Sequence, residues 1–308
     1  MYYQFEVVTA ANKDAFFKNL EQKFAWIKER GYTLHVSTEL YNDRSTEKIN
    51  ITLQGESPNG VFRDEDIIYI LKHQISEIIA EHIIFQWEDT IIWKEIFRKF
   101  RRASLQDKNA ILDKAIAFLK KCNGNESLNM LMNFGRKNKI AHRVLEYIYD
   151  NDFLVVEGFI NFCLPDYHKE IKFAIDLAYE ELKNEKEYNE FIKLLRYFVD
   201  SQPAKTTEVN LLMEDNGFYL WDGKGIRIKE DFLSSYLDDI LSDDISLDDI
   251  LISILITIAP RRIIIHSNDQ AADSSSVEMI KNVFKDRIQV CRGCERCLLH
   301  KSETCKPH

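Results

Sequence analysis

The spacing of apolar residues changes twice along the chain. In residues 1–60 it is mostly that of strands. Segment 4–9 reads as a short strand, and 32–37 and 49–53 alternate apolar with polar positions, the period of a half-buried strand. Between them Phe16, Leu20, Phe24 and Ile27 step by four and three. That predicts a helix over 12–30, which Gly31 is placed to end. The natural assembly is a small β-α-β-β unit.

From 61 to 200 the period is helical. Ile67, Ile68, Leu71, Ile75, Ile78, Ile79 and Ile83 make one strong apolar face, and no Gly or Pro interrupts 61–123. Further helices are predicted over 105–121, 126–134, 138–149, 151–163, 167–183 and 187–199. No fixed period of 20–50 residues recurs, which excludes a solenoid.

After Pro203 the pattern becomes mixed. Segments 208–213, 218–221 and 226–228 read as strands, separated by Asn216-Gly217 and Asp222-Gly223, dipeptides that tolerate the positive φ of tight hairpins. Helices follow near 230–241 and over 247–258, then a strand at 262–266, a helix at 274–285 and a strand at 287–290. Those last three elements predict a β-α-β unit with parallel strands. The expected class is α+β and mainly helical. The expected domains are a small α/β unit (1–60), a helical domain (61–203) and a C-terminal α/β module with a Cys-rich tail (204–308).

Composition narrows the classes. At 308 residues, 45% hydrophobic and 30% charged, the chain is neither disordered nor low-complexity. The start, Met1-Tyr2-Tyr3-Gln4-Phe5-Glu6, lacks the basic and apolar regions of a secretory signal. The most apolar run, 250–259, is half the roughly 20 residues a membrane helix needs, so a buried core helix is expected and no transmembrane segment. The formal charge of −9 argues against a uniformly basic nucleic-acid binder. Charge is nevertheless uneven. Residues 94–143 hold thirteen Lys/Arg against four Asp/Glu, a local +9 that leaves −18 elsewhere. Arg98, Lys99, Arg101 and Arg102 could meet nucleic acid or another anionic partner, or could be a solvated face that pairs with acidic neighbours.

The chemistry concentrates at the C-terminus. Four of six cysteines lie in the last eighteen residues, at Cys291, Cys294, Cys297 and Cys305. Cys122 and Cys163 stand alone in helical text and read as small buried hydrophobes. Clustering at two-residue spacing suggests metal in a reducing cytoplasm, because disulfide frameworks spread cysteines along a chain. One tight turn, eased by Gly293, can present two thiolates to one ion. Zinc takes four tetrahedral S/N ligands, so Cys291, Cys294 and Cys297 would be joined by Cys305, His300 or His308. Three cysteines at this spacing also suit an iron–sulfur cluster, and thiol redox chemistry or an idle tail are the other readings. His266 ends the first strand of the β-α-β unit and Cys291 follows the second. At such an edge His266, with Ser267, Asn268 and Asp269, either faces the cysteines or makes ordinary hydrogen bonds.

Other signals have plainer explanations. Asp-Asp-Ile recurs at 238–240, 243–245 and 248–250, where acids suit helix starts better than a divalent cation. His73, Glu77 and Glu81 share an outer helix face. Gly217 to Lys224 is one residue too long for a phosphate-binding loop, and no dinucleotide fingerprint or nucleophile elbow occurs, so no nucleotide cofactor is expected.

The run from Leu251 through Pro260, Arg261 and Arg262 to His266, then a short helix and Cys291, Gly293, Cys294 and Cys297, resembles the YtxC-like family of sporulation proteins of endospore-forming Firmicutes. Overall length, the helical middle and the hairpin 218–228 are similar too. The likeness covers most of the chain and is most specific from Glu208 onward. It implies a cellular process, sporulation, without an established activity or catalytic residues. The expectation is a cytoplasmic, non-enzymatic interaction protein with a protein partner and a C-terminal zinc site. The alternatives are a metal-dependent hydrolase or nuclease, or nucleic-acid binding through the basic helices.

Overall fold

A computed structural model describes residues 1–10, 20, 23–24, 27, 31–41, 46–56, 63–120, 126–214, 217–228, 247–266, 275–291 and 293–294. The chain divides into two compact units, Met1–Lys183 and Asn184–His308. The class is α+β and mainly helical, with two four-stranded mixed sheets.

The first unit contains strands β1 (Tyr2–Thr9), β2 (Tyr32–Tyr41), β3 (Thr46–Gly55) and β4 (Phe153–Val155), ordered β2-β3-β1-β4. β3 runs antiparallel to β1 and β2, and β4 lies parallel to β1 with Glu6 opposite Phe153. Phe5, Val7, Ile49, Ile51 and Leu53 point to one buried face, as period two demands. Leu20, Phe24 and Ile27 join that core at the expected spacing. β4 corrects the expectation of a helix over 151–163. Phe153, Leu154 and Val155 are strand-favouring types that extend the sheet beside β1, and the helix begins only at Val156.

The helices of this unit are α1 (Asp64–His82), α2 (Glu88–Lys99), α3 (Leu105–Lys120), α4 (Glu126–Asp150) and α5 (Val156–Cys163), with the first part of α6 (Pro165–Ser201). Asp66 accepts a hydrogen bond from the Arg63 backbone at 3.3 Å, and Asp64, Glu65 and Asp66 fill the first turn of α1. Ile67, Leu71, Ile75 and Ile78 are fully buried. A π turn, Ile83–Trp87, joins α1 to α2 without a break. Two predicted interruptions are absent. Gly135 sits inside α4, where glycine costs only about 1 kcal/mol, and α6 runs straight through 184–186.

The second unit has β5 (Glu208–Glu214), β6 (Gly217–Asp222), β7 (Arg262–His266) and β8 (Ile288–Val290), ordered β6-β5-β7-β8. β5 and β6 form the expected antiparallel hairpin; β5, β7 and β8 are mutually parallel. The strand expected at 226–228 is reduced to one bridge, Trp221 to Arg227. The Asp222 carboxylate accepts from the backbone of Lys224 and Ile226, both at 2.9 Å, and closes the turn, while backbone hydrogen bonds from Asp222 to the Ile226 carbonyl and from Ile228 to the Leu220 carbonyl flank the bridge.

Helix α7 (Leu247–Ile258) links the hairpin to β7, and α8 (Ser275–Phe284) links β7 to β8. α7 and α8 touch each other and share one apolar cluster with the sheet, so both lie on the same face. Leu251, Leu255, Val277, Ile280 and Phe284 pack there with Val209, Leu211, Ile263 and Ile265. The alternate residues Asn210, Leu212, Ile264 and His266 belong to the opposite face. Among the described residues no helix is long and apolar enough to cross a membrane. The helix expected near 230–241, the first two Asp-Asp-Ile sites and Cys122 lie outside the described residues.

Candidate metal centre

Three parallel strands end at one edge of the second unit, the place where open sheets collect ligands. β7 delivers His266 there. The Cys291 amide donates to the Ile265 carbonyl at 2.9 Å, which extends the β8 pairing by one residue and brings Cys291 alongside His266. Gly293, at φ +110°, turns the chain in a conformation that side chains rarely adopt, and Cys294 follows. One ligand atom from each of His266, Cys291 and Cys294 lies within 4.8 Å of the others. The Cys294 sulfur is 3.6 Å from His266 Nδ1. No disulfide involves Cys163, Cys291 or Cys294.

The imidazole is buried and held on several sides. Its Nε2 is 3.0 Å from Asn210 Oδ1, and Trp221 stacks on the ring at 5.4 Å between centroids. Asn210 in turn donates through Nδ2 to Glu208 Oε1 at 3.3 Å and to the Asp222 carbonyl at 3.4 Å. Glu208 also pairs with Arg262 at 3.6 Å. A zinc ion with bonds of about 2.3 Å to sulfur and 2.0–2.1 Å to nitrogen sets tetrahedral S and N ligands roughly 3.5 Å apart. The observed 3.6 Å fits one such edge.

The sequence put His266 at the end of one strand and Cys291 after the next and left open whether they face each other or His266 makes ordinary hydrogen bonds; the structure brings His266, Cys291 and Cys294 together. Cys297, His300, Cys305 and His308 lie outside the described residues, as do Ser267, Asn268 and Asp269. Sequence reasoning missed Asn210 and Trp221. The signal for Asn210 was a lone amide within the otherwise apolar run from Val209 to Met213.

The basic helices have other engagements. Arg98 pairs with Glu95 and Lys99 with Asp176. Lys114 meets Glu181 at 2.7 Å and Lys120 meets Asp89 at 3.5 Å. Lys108 is buried over the Phe97 ring at 4.4 Å. Arg101 and Arg102 are exposed in the turn after α2. Glu77 and Glu81 pair with Lys23 at 3.2 and 3.4 Å, in keeping with an outer polar face. A cavity of about 670 Å³ lies between α4 and the start of α6. Several of its charges are paired: Arg136 with Glu88 and Glu170, Arg143 with Glu146, and Asp166 with Lys169; Lys139 also lines it.

Comparison with known proteins gives two matches. The model of a family described as YtxC-like covers residues 73–289, well over half the chain. The uncharacterized protein YtxC of Bacillus subtilis (strain 168) is 26% identical over 161 residues, which are 52% of this chain and 56% of that protein. The match thus spans little more than half the relative's length. No solved structure matches significantly.

Proposed function

This chain belongs to the YtxC-like family, and from that premise we propose that it is a cytoplasmic, sporulation-associated interaction protein whose C-terminal module holds a structural zinc ion. The observation that carries the metal reading is the convergence of His266, Cys291 and Cys294 within 4.8 Å. The sporulation assignment rests on the resemblance of residues 251–297. A reducing compartment suits thiolates kept for metal.

The donor set favours zinc over an iron–sulfur cluster. Clusters are held mainly by thiolates on separate irons, whereas one imidazole and two sulfurs this close suit a single ion. Cys297, Cys305, His300 or His308 would supply the fourth ligand. Four protein ligands leave no open position for water, and so the site supports folding and not hydrolysis.

Elemental analysis of protein purified anaerobically is the test. One zinc per chain is expected, reduced in Cys291→Ser, Cys294→Ser and His266→Gln. Iron with sulfide would replace zinc by a cluster. Protein that carries no metal, and that folds unchanged without residues 291–308, would end the proposal.

A further inference from the structure

The hydrogen-bond chemistry around His266 identifies which ring nitrogen a metal would meet. The Glu208 carboxylate and the Asp222 carbonyl can only accept hydrogen bonds. The Asn210 group 3.3 and 3.4 Å from them must therefore be its NH₂. That orientation leaves the Asn210 oxygen, also only an acceptor, 3.0 Å from His266 Nε2. Nε2 must then carry the proton. In the neutral ring the lone pair is on Nδ1, and Nδ1 is the atom 3.6 Å from the Cys294 sulfur.

The support behind Asn210 is itself fixed. Glu208 pairs with Arg262 at 3.6 Å, and a Cβ at Gly223 would lie 3.4 Å from the Glu208 Cβ, so the carboxylate rests closely against that turn. Trp221 stacks on the ring at an interplanar angle of 28° and limits its rotation. Metal-bound histidines commonly donate their second N–H to such an acceptor, which fixes tautomer and ring orientation.

Resting on the zinc reading above, we propose that His266 binds the metal through Nδ1 and that Asn210, which does not touch the ion, is the positioning residue that holds this nitrogen toward the cysteines. Glu208 and the Asp222 carbonyl set the Asn210 amide, and the Asn210 oxygen sets the imidazole. Asn210→Leu removes the acceptor. Asn210→Asp alone would set a second carboxylate against Glu208, so the conservative control is Asn210→Asp with Glu208→Gln, in which the Gln amide donates to one Asp oxygen and the other still accepts from Nε2–H.

The test combines ¹⁵N NMR of histidine-labelled full-length protein with competitive zinc titration against a chromophoric chelator. In metal-free wild type, His266 should have a protonated Nε2 and an unprotonated Nδ1. After ¹¹³Cd loading, the coupling should run to Nδ1. Zinc affinity should fall 10- to 100-fold in Asn210→Leu and be largely retained in Asn210→Asp with Glu208→Gln. A proton on Nδ1, cadmium coupling to Nε2, or wild-type affinity in Asn210→Leu would overturn the positioning role while leaving zinc binding intact. Wild-type protein that binds neither ion would instead overturn the zinc reading. The metal-free spectrum of the wild type needs no variant, so a misfolded Asn210→Leu does not block the test.

Discussion

His82 illustrates how one residue can make stability depend on pH. Its ring is buried on α1, with Nε2 3.2 Å from the Thr9 hydroxyl, and burial pushes its pKa from 6.5 down to about 4. The unfolded chain takes up this proton first. Stability from the neutral ring is therefore complete above pH 6.5 and is lost as pH falls toward 4, in total about 3 kcal/mol. Urea titrations at pH 7 and pH 4.5 should show a larger loss in wild type than in His82→Gln; equal losses would refute the assignment. Arg136 and Glu88 make a second residue-scale case. They form a buried ion pair, and Tyr167 donates to Glu88 at 2.8 Å. Arg136→Met strands a carboxylate in the core and should cost about 3–5 kcal/mol by urea unfolding, whereas Arg136→Met with Glu88→Leu should recover much of it. A double variant as unstable as the single would show that the pair itself is indispensable.

At the scale of elements, the π turn between α1 and α2 keeps one apolar face in phase. Ile83 and Ile92 are both fully buried, yet nine residues of uninterrupted α-helix would set them about 180° apart. A π turn absorbs one extra residue, which brings the second face back toward the first. Phe85 lies in that turn and is 78% exposed. Deleting Phe85 should close the turn into α-helix and change stability by no more than about 2 kcal/mol, because both flanks keep their faces. Inserting an alanine after Phe85 should cost more, because Ile91, Ile92 and Ile96 lose their phase. Thermal melts of the two variants, read by circular dichroism, decide the matter, and the reverse order would exclude this account. The exposed turn after α2 permits a second test. Arg101→Ala/Arg102→Ala should leave nucleic-acid affinity unchanged at all salt concentrations, since neighbouring cations already have acidic partners. A salt-dependent loss on substitution would revive the nucleic-acid reading.

For the whole molecule, the two units have separate hydrophobic clusters. A structural zinc in the second should therefore act on that unit alone. Scanning calorimetry with and without a zinc chelator is expected to lower one unfolding transition and leave the other in place, and a chelator that moves both or neither would count against this arrangement.

Much of this was legible from residue order. Period two exposed β2 and β3, the Asn216-Gly217 dipeptide exposed the β5–β6 hairpin, and helical spacing exposed α1, α3, α7 and α8, because a strand or helix with one buried face must write its own geometry into its apolar positions. The cysteine spacing and His266 at a strand end were local facts too. α6 continues through the exposed Asn184, Glu185 and Lys186 because a helix accommodates such residues at small cost. Tertiary structure alone decided that β4 joins the sheet of β1, 147 residues before it in the Glu6–Phe153 register, and that α4 continues through Gly135, where burial of Ile140, Val144 and Ile148 further along the helix outweighs about 1 kcal/mol of local preference. Asn210 belongs to the same category. A single amide in an apolar strand acquires meaning only when β5 and β7 lie side by side and its oxygen meets an imidazole 56 residues away, since pairing between strands is a relation in space that no spacing along the chain encodes.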